Sequence, residues 1–78
     1  MTFKLHRDAE KYLSKLSANQ ITRILTAIQK LPNGDVKRLR GREDEMRLRV
    51  GDWRIIFIYL ENGVFVKEIG SRGGIYKK

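Results

Sequence analysis

Residues 46–70 read MRLRVGDWRIIFIYLENGVFVKEIG. Met46, Leu48 and Val50 alternate with Arg47 and Arg49, the period-two pattern of a strand with one wet face. Gly51-Asp52 and Asn62-Gly63 have the composition of two-residue hairpin turns. Between them runs WRIIFIYL, rich in the β-branched and aromatic residues that suit a pleated sheet. The spacing predicts three strands, about 46–50, 53–60 and 64–70, folded as a meander.

The first turn also sets the faces. A loop at residues 51–52 pairs Val50 with Trp53, Arg49 with Arg54 and Leu48 with Ile55. Directly opposed residues share a face. One face is then apolar: Met46, Leu48, Val50, Trp53, Ile55, Phe57 and Tyr59. The other begins with Arg47, Arg49 and Arg54 and continues with Ile56, Ile58 and Leu60. Arg49 and Arg54 become like charges across a ladder, an arrangement that costs stability.

Upstream, TFKLH (residues 2–6) alternates as a short strand. Ala9, Tyr12, Leu13 and Leu16 then fall at helical spacing, predicting a helix from about Asp8 to Leu16. Ser17 and Gln20 form a capping-box pattern that opens a second helix. Its stripe is Ile21, Ile24, Leu25, Ile28 and Leu31, and Pro32-Asn33-Gly34 ends it. So short a joint makes the two helices an antiparallel hairpin. Their stripes must cover the apolar sheet face, having nowhere else to go. NGDVKRLRGREDE (residues 33–45) has no sustained period and is dense in charge; it reads as a loop tethered by Val36 and Leu39. The tail, SRGGIYKK, reads as loose. The expected fold is α+β: one small β-α-α-β-β-β domain over residues 1–78, with a helix hairpin on one face of a mostly antiparallel four-stranded sheet.

Seventy-eight residues bury only roughly 60% of the unfolded surface, so the stability margin is thin. There is no cysteine to add a disulfide or a thiolate metal site, which fits a reducing compartment. The opening MTFKLH breaks hydrophobicity at once, unlike a secretory leader, and no apolar run approaches the ~20 residues of a membrane span. The expected location is the cytoplasm. Seventeen Lys and Arg against nine Asp and Glu give a net charge of +8. That charge suits nucleic acid, an anionic membrane or an acidic protein as partner.

The chemistry lies with the arginines. Arg47, Arg49 and Arg54 on one strand face suit either a solvated surface or a site for phosphate or carboxylate, both of which guanidinium forks grip in bidentate fashion. Glu43, Asp44 and Glu45 lie close enough to pair with them when no ligand is present. His6 is the only histidine, so a metal site or a histidine dyad is not indicated and His6 reads as a strand-end residue. Trp53 falls on the helix-facing side and reads as core. Tyr76 sits in a polar, glycine-flanked tail, where it either stacks on a base or caps the sheet edge. Arg72 is just past the last strand, and Gly70, Gly73 and Gly74 let that segment bend close to a ligand. No glycine-rich loop is followed by a helix, as a phosphate-binding loop would require.

This order of elements, with LRGREDEMRLRVGDWRIIFIY and VKEIGSRGGIYKK, resembles the RelE/ParE superfamily of type II toxin–antitoxin toxins. The resemblance covers the whole chain, including the helical DAEKYLSKL. Its most specific parts are Leu39-Arg40-Gly41, the run from Arg47 to Arg54, and the run from Ile69 to Tyr76. RelE-type members are endoribonucleases that cut mRNA in the ribosomal A site. The resemblance implies that Arg47, Arg49, Arg54, Arg72 and Tyr76 bind the scissile phosphate, stabilise its added charge, protonate the leaving oxygen and stack a base. The RNA's own 2′-hydroxyl would attack, leaving a 2′,3′-cyclic phosphate, with no cofactor or metal. The implied partners are an acidic cognate antitoxin and the ribosome with its message; no membrane is implied.

The chain departs from the pattern in two ways. Well-known ribosome-dependent members carry lysine as general base where Arg49 stands, and arginine is a poor base at neutral pH. Many relatives also carry histidine and a second arginine or an aspartate where this chain has Ser71, Gly73 and Gly74. The rival branch, ParE-like, shares the fold but poisons DNA gyrase by binding. The arginine set and Tyr76 favour the nuclease over this branch and over a degenerate, non-catalytic member of the superfamily.

Overall fold

The computed structural model describes residues 2–41 and 44–71. The elements are β1 (Thr2–Leu5), α1 (Arg7–Leu13), α2 (Ala18–Gln29), β2 (Asp35–Arg38), β3 (Met46–Val50), β4 (Trp53–Leu60) and β5 (Gly63–Ser71). They build one mixed sheet in the order β1-β5-β4-β3-β2, with β1 parallel to β5 and every other pair antiparallel. The α+β class is as expected.

The helix ends follow local chemistry. His6 caps α1, its Nδ1 accepting a hydrogen bond from the Asp8 amide at 3.0 Å. In the capping box at α2, the Gln20 amide donates to Ser17 Oγ at 3.2 Å and the Ser17 amide donates to Gln20 Oε1 at 3.0 Å. Each satisfies an amide that has no partner within the helix. α1 stops at Leu13, three residues before the expected end. The Ser14 hydroxyl there bonds back to the Lys11 carbonyl at 2.7 Å, yet Leu16 still reaches the core from the turn that follows.

Both helices lie on one face. Ala9, Leu13, Ile24, Ile28 and Leu31 pack with Leu48, Ile55, Phe57, Val64, Val66 and Ile69, all buried. Met46, Val50 and Trp53 border this cluster, so the helix-facing register is as the first hairpin requires: Val50 opposite Trp53, Arg49 opposite Arg54, Leu48 opposite Ile55. Arg23 stacks over the Trp53 ring, 5.3 Å from its centroid.

Two expectations are corrected. The sheet has five strands rather than four, because β2 forms inside the segment read as a loop. Val36 pairs with Leu48 and turns into the core, while Asp35 and Lys37 take the other face. An edge strand half exposed to water needs only that one apolar anchor. Second, the β4–β5 turn is Glu61-Asn62, since Leu60 pairs directly with Gly63. β5 also carries an extra residue: Ile56 opposes Glu68 while Phe57 opposes Val66, leaving Lys67 without an opposite. Strict alternation from Val64 and Val66 would turn Ile69 out to solvent; the bulge turns it inward.

Gly63 shows how tightly β1 and β5 approach. A Cβ at this position would lie 2.0 Å from the Thr2 carbonyl oxygen, a backbone atom. Gly63→Ala is therefore expected to push β1 off the sheet edge and cost roughly 1–3 kcal/mol, the usual range for overpacking. A thermal melt would read this as a loss of at least ~4 °C in a domain of this size; an unchanged Tm would mean β1 is not held there.

Candidate functional site

Among the described residues no helix or strand covers the face opposite the helices. Across it, strand pairing lines up Gly70, Arg54, Arg49 and Asp35 in one row, and Glu68, Ile56, Arg47 and Lys37 in the next. A third row holds Lys4, Phe65 and Ile58. The arginines thus cluster on β3 and β4, while β5 and β1 contribute Gly70, Glu68, Phe65 and Lys4. The face gathers Arg47, Arg49 and Arg54 as the hairpin register predicts.

Their settings differ. Arg49 is exposed, Arg54 is half-buried, and the Arg47 side chain retains 12% of its surface. Arg47 Nη2 donates to Asp35 Oδ1 at 3.1 Å. Arg47 Nε, together with Nε and Nη1 of Arg54, is buried and makes no hydrogen bond among the described residues, although Arg54 engages other groups. Guanidinium N–H groups withdrawn from water favour an anionic oxygen over a neutral acceptor, because charge-assisted bonds are roughly twice as strong.

Among the described residues Arg47 has an acidic partner that the sequence did not single out: Asp35, on the unforeseen strand β2. Glu45 forms an ion pair with Lys67, its side chain 15% exposed. Neither Asp35 nor Lys67 stands out in the sequence as a site residue. The available signals were the DVKR alternation and the 64-66-69 spacing of apolar residues. Arg72, Tyr76 and Glu43 lie outside the described residues, so their expected roles rest on the resemblance.

The apolar patch beside the arginines is smaller than expected. Ile56 is fully buried and Ile58 half-buried, while Leu60 and Tyr59 are each 43% exposed. Ile56 stands in register between Arg47 and Glu68, whose long side chains flank it. On the helix side, Gln20, Arg23, Gly51, Asp52 and Trp53 line a shallow cleft of about 390 Å³. Among the described residues no helix is long and apolar enough to cross a membrane.

Residues 3–76 match the family described as ParE toxin of type II toxin-antitoxin system, parDE. No curated protein matches the chain. Among solved structures, a chain of the RelB–RelE antitoxin–toxin complex from Methanococcus jannaschii is similar over 94% of both chains, with a TM-score of 0.77 and 20% identity. The archaeal RelE–RelB complex from Pyrococcus horikoshii OT3 gives a TM-score of 0.71 at 25% identity, over 92% of this chain and 94% of that one. The intact RelBE toxin–antitoxin complex of E. coli gives 0.61 at 23% identity, over 88% and 93%. The sequence pattern carries the ParE name and the similar structures come from RelE complexes; the two names meet in one superfamily. This chain belongs to the ParE toxin family of type II toxin–antitoxin systems, and its fold is that of the RelE-like toxins in the RelE/ParE superfamily.

Proposed function

We propose that this toxin is a ribosome-dependent mRNA endoribonuclease, and that Arg47, Arg49 and Arg54 grip the scissile phosphate. The observation that carries the reading is the convergence of these arginines at adjacent register positions on a face free of helices. A trigonal-bipyramidal phosphorane gathers more negative charge than the diester, and preorganised cations stabilise it selectively. Arg72 would add charge from beyond β5, and Tyr76 would stack a base. The ribosome would supply the orientation of the 2′-hydroxyl for in-line attack, which is consistent with the lack of a lysine base at Arg49. The expected setting is cytoplasmic.

A second reading has a specific observation behind it, the match to the ParE family. In that reading the basic face holds gyrase or its DNA and nothing is cut. Purified toxin incubated with programmed ribosomes, and separately with gyrase and supercoiled DNA, separates the two. Cleaved message with gyrase unaffected supports the nuclease; trapped gyrase with intact message replaces it.

In either reading a cognate antitoxin silences the toxin, as the RelB names of the similar complexes suggest. Against a net charge of +8, the partner that fits is acidic and partly disordered, supplying carboxylates to the open face as it folds. Exposed ion pairs are screened by salt. Affinity for the antitoxin is therefore expected to fall as salt rises from low to molar concentration, measured by calorimetry. Equal affinity at both ends would remove the electrostatic part of the proposal.

A further inference from the structure

The β5 bulge does more than turn Ile69 inward. Val66 and Ile69 both sit in the helix-side core, so the two residues between them, Lys67 and Glu68, both take the open face. Lys67 reaches Glu45, immediately before β3. β3 and β5 are not neighbours; β4 lies between them. The Lys67 side chain therefore spans β4 and brings an ammonium to the edge of the arginine cluster, beside the row that holds Arg47 and Ile56. Glu45 is held in turn, because its carbonyl accepts from the Leu39 amide at 3.0 Å and extends the β2–β3 ladder. Two residues before Arg47 in an extended chain, it projects to the same side.

We propose that Lys67 is the proton donor to the leaving 5′-oxygen during RNA cleavage, and that Glu45 is the positioning residue that holds its ammonium over β4. The proposal rests on the nuclease reading above. Its chemical ground is that guanidinium groups do not release protons at neutral pH, so Arg47, Arg49 and Arg54 can hold charge but cannot transfer a proton. An ammonium has three donor hydrogens and gives up a proton more readily than a guanidinium. Lys37 and Lys4 share the face but stand on the outermost strands. In the step, the 2′-oxygen bonds to phosphorus and its proton passes to water. The bond from phosphorus to the 5′-oxygen breaks, and that oxygen takes a proton from Lys67 Nζ. The products are a 2′,3′-cyclic phosphate and a free 5′-hydroxyl, and the neutral amine regains a proton from solvent.

The test uses single-turnover cleavage on programmed ribosomes with two messages. One is ordinary; the other carries sulfur in place of the scissile 5′-bridging oxygen, a leaving group that needs no proton. Lys67→Met is expected to slow cleavage of the ordinary message about 10²-fold or more, the usual reach of general acid catalysis, and to cut the sulfur message near the wild-type rate. Lys67→Arg keeps the charge and the reach to Glu45, so it guards against a folding defect; it should be slow on oxygen and fast on sulfur. Glu45→Gln should show the same pattern to a smaller degree. Arg54→Ala should be slow on both. If wild type cuts and both Lys67 variants match it on the ordinary message, or if sulfur restores nothing, the proton-donor assignment is overturned while the nuclease stands. If wild type cuts neither message, the nuclease reading falls and takes this assignment with it.

Discussion

Alanine in place of Arg54 is expected to slow cleavage of ribosome-bound message about 10²–10³-fold, the typical loss when one preorganised charge contact to a transition state is removed. Arg54 occupies the centre of the basic face, between Arg49 on β3 and Gly70 on β5, and two of its guanidinium nitrogens are withdrawn from water. Charge held in such a place acts on a phosphorane with less screening than charge on a surface side chain. The fold should survive, because Arg54 lies on the side away from the buried cluster. Removing it also relieves the like-charge pairing with Arg49. Growth arrest on expression, cleavage of programmed ribosomes and a thermal melt together check this. A variant that stays folded and fully toxic would end the nuclease reading and favour the gyrase-binding one.

The second large effect concerns stability. Phe57 is fully buried on the helix-facing side of β4, and its ring meets Tyr59 edge to face with centroids 5.2 Å apart. Phe57→Ala removes a large buried side chain and leaves a cavity between sheet and helices, which costs about 3–5 kcal/mol. A domain of this length has only about 4–12 kcal/mol in hand, at roughly 0.05–0.15 kcal/mol per residue. The variant should therefore unfold at a much lower urea concentration than wild type, and on the least favourable figures it will not fold at all. Leu60→Ala, at a side chain 43% exposed, should shift the midpoint far less, since exposed positions usually move stability by about 0.5 kcal/mol. Equal shifts for the two would contradict the placement of the helix layer over Phe57.

The site is held by the sheet rather than by loops, and this governs what substitutions there can do. Arg47, Arg49 and Arg54 hang on β3 and β4, whose other face is fixed by Leu48, Ile55 and Phe57 in the core. Each arginine is thus positioned by a buried neighbour one residue away in its own strand. The ion pairs on the same face are partners of a different kind. Asp35 is 54% exposed where it meets Arg47, so that pair contributes little stability, and an arriving phosphate can displace it at small cost.

Much of this molecule is determined by short-range pattern. The Gly51-Asp52 turn, with alternation on both sides, was enough to pair Arg49 with Arg54 and to turn Trp53 toward the helices, because a two-residue loop leaves no freedom of register. The Ser17–Gln20 capping box and the two apolar stripes located the helices for the same reason: the forces involved act within one turn of chain. Tertiary structure alone decided the rest. β2 exists because an edge of β3 was available and Val36 could be buried beside Leu48; the charged sequence around it has no strand preference strong enough to announce this. The bulge at Lys67 arises from a conflict. Val64, Val66 and Ile69 must all reach one core, and a strand of strict period two cannot deliver them, so one residue is displaced. That displacement carries Lys67 across β4 to Glu45, a meeting of residues 22 positions apart that no local pattern encodes.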